Sequence, residues 1–244
     1  MDMITYDDTA IDVRADLAEC HRRRWDALSN AGTWLTGEER VAVMAESRNA
    51  RGCVLCEEQN AALSPYTVTG VHDAFAELPA NWIEVIHHVV CDPGRLTHSW
   101  YKNILEGGIE DVTYVEIISV IAQTTAIDTF ARGLGVAPRP LPTPQVGEPT
   151  RYRPKEAHQQ KAWVPNIANG EEGPNEADQV GMASNIRRAL TLVPDEARGF
   201  WSIADVQYLS AAQMQDVGGS YRAISRMQIE LLASRVSALN QCAY

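Results

Sequence analysis

Two cysteines separated by two residues, Cys53 and Cys56, are the first candidates for chemistry in this chain. A thiolate is the form of cysteine that attacks a peroxide, so one of these thiols needs surroundings that lower its pKa. The attack leaves a sulfenic acid, which a neighbouring thiol converts to a disulfide. Because two intervening residues at a helical turn bring the sulfurs within bonding reach, the pair predicts a dithiol/disulfide cycle.

Acidic and basic side chains near the pair would move the protons that this cycle requires. Glu46 precedes Cys53 by seven residues. If residues 48 to 56 stay helical, Glu46 and Cys53 lie on the same face, two turns apart. We therefore take Glu46 as the candidate base. The candidates for a further proton carrier beside Cys56 are three histidines: His87, His88 and His98.

A last cysteine, Cys242, follows an apolar helical pattern near the end of the sequence. Glu230 lies within this pattern, on a different face from its apolar residues, and eleven residues separate it from Cys242. The apolar face has the spacing of an amphipathic helix and consists of Ile229, Leu232, Val236 and Leu239.

The spacing of Glu230 and Cys242, and the residues 239 to 244 around the cysteine, resemble the alkylhydroperoxidase D-like and carboxymuconolactone decarboxylase superfamily. The resemblance implies a Glu, eleven residues, Cys-x-x-Cys and a His four residues later. It implies that Glu230 relays protons and that the second position of the pair attacks peroxide. Some relatives use selenocysteine there, so we hypothesise that Tyr244 precedes a selenocysteine codon taken as a stop. A truncated or divergent tail is the alternative.

Cys53 and Cys56 form a second copy of this pattern, with two departures. Val41 stands where the superfamily has its Glu, and Asn60 stands where it has its His. For this copy the resemblance implies that Cys56 attacks and that Cys53 closes the disulfide. It further implies a hydroperoxide substrate, a thioredoxin-like or lipoyl-type dithiol reductant, no metal or organic cofactor, and a homo-oligomer.

Composition and charge exclude several classes of partner. The chain has 244 residues and a formal net charge of −11, which argues against nucleic acid or an anionic membrane as its main partner. No run of 18 apolar residues occurs, so we expect no membrane span. Residues 1 to 9 are polar and acidic, unlike a signal peptide, so we expect a cytoplasmic protein. Its 5 cysteines then favour catalytic thiols or a metal over a disulfide framework.

Helical periodicity without strand-like alternation predicts an all-α fold. The segment from 136 to 182 departs from this pattern, because it holds many of the prolines among Gly, Gln and Asn. It is predicted to be a surface connector anchored by Trp163. We therefore expect a helical bundle of two alkylhydroperoxidase D-like units: one at 1–135 that contains the complete Cys pair, and an incomplete one at 183–244.

Other interpretations of the pair stay open. Cys53 and Cys56 would be half of a structural zinc site if Cys20, Cys91 or a distant His completed four ligands. Buried cysteines without chemistry are also common. At the level of the whole protein, the alternatives are a carboxymuconolactone decarboxylase-like enzyme without redox thiols and a non-catalytic helical scaffold with a structural or metal-binding Cys pair.

Overall fold

Helices and irregular loops make up this computed structural model, which describes residues 4–179, 184–240 and 242. The predicted all-α class is confirmed, since no strand occurs among these residues and extended pairing is limited to an isolated bridge. Their α-helices are α1 (Ala15–Leu28), α2 (Gly37–Asn49), α3 (Val54–Ala61), α4 (Ala80–Cys91), α5 (His98–Glu106), α6 (Asp111–Gly133), α7 (Asn185–Arg188), α8 (Pro194–Gln207), α9 (Ala211–Gln215) and α10 (Arg226–Leu239).

The long helix α6 is the centre of the first part of the chain. Its residues Ile117, Val120 and Ile127 are fully buried, as their apolar character around most of the helix circumference predicts. α2 and α4 both pack on α6 and on each other. Although α6 has 23 residues, no helix in the described ranges combines the length and hydropathy that a membrane crossing needs.

The segment between α2 and α3 decides how the cysteine pair is presented. The sequence Thr36-Gly-Glu-Glu39 has the spacing of a capping box, and Thr36 and Glu39 form one at the start of α2. The expectation that residues 48 to 56 stay helical is wrong, because α2 ends at Asn49 and a 3₁₀ turn, Ala50–Gly52, follows. Cys53 is then extended, with ψ of 124°, and caps the start of α3.

The proline-rich connector is held by specific contacts. Trp163 stacks on His98 and Tyr101, with ring centroids 5.7 and 6.2 Å apart. These contacts agree with an anchoring role, and the interpretation of 136 to 182 as a surface connector stays a prediction. Arg153 pairs with Asp111 at the start of α6 through bonds of 2.7 and 2.9 Å. These contacts give an irregular segment fixed positions on the helices beside it.

The chain divides into two compact units, Met1–Ile203 and Ala204–Tyr244. The boundary between these units lies within α8, and residues 136 to 179 belong to the first unit. The predicted pair of alkylhydroperoxidase D-like units at 1–135 and 183–244 stays a prediction. The second unit contains α9 and α10, each begun by a Ser–Gln capping box. On α10 only Ile229 is buried among the helix residues described, and Leu232, Val236 and Leu239 are more than half exposed.

A buried cluster of three charged side chains links α2, α6 and α8. Arg40 donates hydrogen bonds of 2.7 Å to Glu116 and to Glu196, and all three side chains are almost fully enclosed. One guanidinium cannot balance two ionised carboxylates. Burial, reinforced by the neighbouring Glu196 and opposed by Arg40, accordingly raises the pKa of Glu116 to about 7.

This raised pKa predicts how stability changes with pH. The folded state holds a proton on Glu116 that the unfolded state releases near its ordinary, lower pKa, so this stabilisation is complete at low pH and is lost as pH rises through about 7. When pH rises from 5 to 8, the unfolding free energy of the parent chain should fall because Glu116 loses its proton. In Glu116→Gln this fall should be smaller by about 2 kcal/mol. Urea unfolding across that range measures the difference. The exposed Glu106→Gln serves as control, and parallel profiles for Glu116→Gln and the parent would contradict the assignment.

Candidate functional site

Cys53 and Cys56 lie together at the start of α3. Cys53 is the residue before the first helical one, and Cys56 is in the first turn. Their sulfurs are within 4.8 Å of each other and are not joined in a disulfide. Both residues are mostly enclosed, with 3% and 5% of their surface exposed. A modest movement within one helical turn would bring the sulfurs to bonding distance.

His87, from α4, connects Cys56 to Glu46. Its Nδ1 atom is 3.2 Å from the Cys56 sulfur, and its Nε2 atom is 2.8 Å from a carboxylate oxygen of Glu46. Glu46 was expected to serve the pair directly from the same helical face. Instead its carboxylate contacts the imidazole of His87 and neither sulfur, because the helix that carries it ends before Cys53. Of the three candidate histidines, His87 is the one that reaches Cys56.

Glu46 is fully buried but accepts enough hydrogen bonds to stay ionised. The backbone N–H groups of Phe75 and Ala76 donate to it at 2.9 and 2.7 Å, and the Asn49 side chain donates at 2.9 Å. Burial acts to raise the pKa of this carboxyl, but these bonds and the one from His87 outweigh it, so the pKa lies below its usual value. The carboxylate therefore accepts the His87 Nε2–H and turns the Nδ1 lone pair towards Cys56.

A second histidine, His72, contacts both sulfurs. Its Nδ1 atom is 3.6 Å from Cys53 and 3.5 Å from Cys56. Its Nε2 atom is 3.1 Å from Glu84 of α4, which also pairs with His88 at 3.0 Å. The rings of His72 and His87 lie 4.3 Å apart between centroids. Two imidazoles thus converge on the cysteine pair, and each is held from behind by a carboxylate.

The sequence analysis did not identify His72 or Glu84. His72 lies in an irregular loop with no periodicity, 16 positions after Cys56 and 15 before His87. This spacing matches no short motif. The available signal was the sequence His72-Asp73, which follows soon after Gly70. In the structure Asp73 accepts the Val54 N–H at 2.9 Å, and this bond fixes the loop to the start of α3.

The two histidines differ in their protonation. Burial lowers the pKa of His87, and the bond to Glu46 only partly restores it, so its ring is neutral at neutral pH. Burial also lowers the pKa of His72, but hydrogen bonds with Glu84 and Cys53 outweigh this and leave it above the ordinary value. Paired groups with opposite shifts are typical of sites that need both a base and an acid.

The two thiols differ as well. Burial acts to raise the pKa of Cys53, but hydrogen bonds from the Asp73 backbone N–H, at 3.4 Å, and from Cys56 and His72 bring it below the ordinary value. A hydrogen bond with Cys91, followed by burial, raises the pKa of Cys56. Cys53 therefore forms a thiolate more readily, whereas the family resemblance gives the attacking role to Cys56.

A cavity gives small molecules a route to the pair. It has a volume of about 430 Å³ and is lined by both sulfur-bearing residues, with Arg51, Asn60 and Cys91 among the others. The volume is sufficient for a small hydroperoxide. One cationic and one anionic side chain, Arg51 and Glu57, line its wall.

Glu230 and Cys242 belong to the second unit. Glu230 pairs with Arg226 at 2.6 Å. Cys242 is exposed, and its N–H donates to the Ser237 carbonyl at 2.9 Å. Ser237 is seven residues after Glu230, which is about 10 Å along the axis of α10. The proton-relay role expected for Glu230 stays a prediction. Tyr244, on which the selenocysteine hypothesis depends, lies outside the described residues, and the hypothesis stays a prediction.

Comparisons of this chain with models of known families, with curated proteins and with solved structures found no match. The resemblance to the alkylhydroperoxidase D-like superfamily therefore stays a prediction that depends on the quoted residues.

The geometry around Glu46 predicts a large effect on stability. Glu46→Ala would remove the partner of two buried backbone N–H groups and of His87, so it should lower the unfolding free energy by about 3 kcal/mol or more. Glu58→Ala, at an exposed position of α3, should change it by less than about 0.5 kcal/mol. Urea unfolding measures both variants. Equal effects would show that the Glu46 carboxylate does not organise this region.

Proposed function

We propose that the chain is a thiol-dependent peroxidase that reduces hydroperoxides through a Cys53–Cys56 dithiol/disulfide cycle. The observation that carries the proposal is the placement of two unlinked sulfurs within 4.8 Å, beside a cavity and between His72 and His87. A dithiol that only packs in a core has no need of two imidazoles with opposite pKa shifts.

The first step is attack by the Cys53 thiolate on the terminal oxygen of the hydroperoxide. A sulfur–oxygen bond forms as the oxygen–oxygen bond breaks, and the alkoxide leaves. His72, whose pKa is raised, supplies the proton that turns this alkoxide into an alcohol. Cys53 is left as a sulfenic acid. This assignment reverses the roles that the family resemblance implies for the two cysteines.

The second step closes the disulfide. The Cys56 thiol gives its proton to the Nδ1 atom of His87, 3.2 Å away, and its sulfur attacks the sulfur of Cys53. The sulfenic hydroxyl leaves as water when it takes that proton back. Glu46 is a positioning residue in this step, because it fixes the tautomer of His87 without touching a sulfur. A dithiol reductant then restores both thiols.

The wider proposal keeps the partners expected from sequence. The reductant is a thioredoxin-like or lipoyl-type dithiol, no organic cofactor takes part, and the protein is a cytoplasmic homo-oligomer that binds neither nucleic acid nor membrane. The formal net charge of −11 supports the exclusion of nucleic acid. A decarboxylase-like enzyme without redox thiols would use the same Glu46–His87 pair, but it would leave two adjacent thiols in the site without a role.

Peroxide turnover tests the proposal directly. With a hydroperoxide and an excess of dithiol, Cys53→Ser and Cys56→Ser should each lower consumption of the peroxide by at least about 100-fold, since each removes one sulfur of the cycle. Cys20→Ser is the matched control, because Cys20 donates to the Ser202 carbonyl, away from the pair, and Ser keeps a donor there. Normal turnover by Cys56→Ser would exclude the mechanism.

The order of attack is tested by trapping the sulfenic acid with a dimedone reagent and mapping it by mass spectrometry. If Cys53 attacks first, Cys56→Ser should accumulate the adduct on Cys53 and Cys53→Ser should form little. The reverse pattern would return the attacking role to Cys56. Peroxide-treated parent chain should contain a Cys53–Cys56 disulfide and no adduct.

A further inference from the structure

The same four side chains have the composition and spacing of a metal site. The two sulfurs of Cys53 and Cys56 and the Nδ1 atoms of His72 and His87 all lie within 4.8 Å of one another. We infer that these residues bind one tetrahedral divalent cation of the zinc type when the cysteine pair is reduced.

The measured distances fit such an ion closely. Ligand bonds of about 2.3 Å to sulfur and 2.0–2.1 Å to nitrogen place sulfur and nitrogen roughly 3.5 Å apart around a tetrahedral zinc ion. His72 Nδ1 is 3.6 and 3.5 Å from the sulfurs of Cys53 and Cys56. His87 Nδ1 is 3.2 Å from the Cys56 sulfur. These three sulfur–nitrogen pairs would need to move by only a few tenths of an ångström, and the remaining ligand atoms lie within 4.8 Å of one another.

The orientation of the imidazoles supports the same conclusion. Both rings direct Nδ1 into the cluster and present Nε2 to a carboxylate, Glu46 for His87 and Glu84 for His72. A metal-bound histidine commonly donates its other N–H to a carboxylate, which fixes the ring and strengthens the ligand. Two histidines that direct Nδ1 at one pair of cysteines complete the four ligands of a tetrahedral site.

The charge and softness of the ligands select the ion. Two thiolates and two neutral imidazoles balance a divalent cation in this mostly enclosed setting. Thiolate and imidazole favour zinc over the hard cations magnesium and calcium. The two ligands that would complete the site are distant histidines, His72 from the irregular loop and His87 from α4, and neither Cys20 nor Cys91 is among the four. A bound ion would therefore join that loop to the start of α3 and to α4.

Metal binding does not depend on the proposed peroxidase activity, because it needs only the four ligands. The two activities are nevertheless linked through the sulfurs. Oxidation by a hydroperoxide removes two electrons from the thiolates, forms the disulfide, and with two protons yields an alcohol and water. The disulfide has no thiolate to offer, so the ion should be released on oxidation.

Cobalt and zinc binding to the full-length chain tests the inference. The chain, reduced and treated with chelator before desalting, should bind one Co²⁺ per polypeptide, with the charge-transfer and visible bands of a tetrahedral thiolate site. One equivalent of Zn²⁺ should abolish these bands. A reduced chain that gives no such bands and retains no Zn²⁺ after desalting would overturn the inference.

Variants locate the ion. His72→Gln and Cys53→Ser should lose the tetrahedral cobalt spectrum, while Glu84→Gln should weaken binding by roughly 10–100-fold. The exposed His98→Gln and the distant Cys20→Ser are matched controls and should bind as the parent does. Unchanged binding by His72→Gln would exclude the four-ligand site. Far-UV circular dichroism identifies a variant that fails to fold, and protection of Cys53 and Cys56 from alkylation by Zn²⁺ in the parent chain then provides the deciding measurement.

Parallel assays separate this inference from the proposed function. Zinc binding without peroxide turnover would support the metal site and contradict the peroxidase proposal. Peroxide turnover without zinc binding would support the peroxidase and contradict the metal site. Where both occur, one equivalent of hydroperoxide should release the bound Zn²⁺, detected with a chromogenic chelator, and a dithiol should restore binding. Zinc that stays bound after the disulfide has formed would contradict ligation by the two sulfurs.

Discussion

The buried carboxylate of Glu46 is the interaction on which the rest of the site depends. It accepts the backbone N–H groups of Phe75 and Ala76, and so holds the loop between α3 and α4 against α2. It also accepts the N–H of His87, and so sets that ring against Cys56. Without these bonds a carboxylate would be costly to bury. With them, one side chain fixes both the loop that carries His72 and the helix that carries His87.

The break after α2 is the second constraint. If α2 had continued, both cysteines would lie on that helix, and their backbone N–H groups would donate to carbonyl groups of the same helix. The 3₁₀ turn at Ala50–Gly52 instead makes Cys53 the cap of a new helix. The sulfur of Cys53 can then accept the N–H of Asp73, while the Asp73 carboxylate accepts the N–H of Val54. The loop and the start of α3 are therefore joined by hydrogen bonds in both directions. The bond from the Asp73 N–H also lowers the pKa of the Cys53 thiol.

Local chemistry determined which parts were predictable from the sequence. The all-α class, the capping box of Thr36 and Glu39, and the buried character of α6 follow from periodicity and short-range bonding, and the structure has them. Cys53, Cys56 and Glu46 were found as candidates because they are close in sequence. His72 and Glu84 were not, because their contacts with the pair depend on how a loop without periodicity folds back. The role of Glu46 was misjudged for a related reason, since its partner His87 is 41 positions away.

The chemistry of the site depends on whether its sulfurs face a proton or a metal ion. His87 presents a lone pair to Cys56, and a lone pair can accept a thiol proton or bind a cation. Glu46 supports either role, because a carboxylate behind Nε2 makes the opposite nitrogen both a better base and a better ligand. Without an ion, the arrangement favours a thiolate at Cys53 and leaves Cys56 as a thiol that donates its proton to His87, whereas a bound cation would require both sulfurs as thiolates. A bound ion would hold two thiolates together until oxidation joined them. For this reason the proposed peroxide reduction and the inferred metal binding would compete for one set of lone pairs at one site.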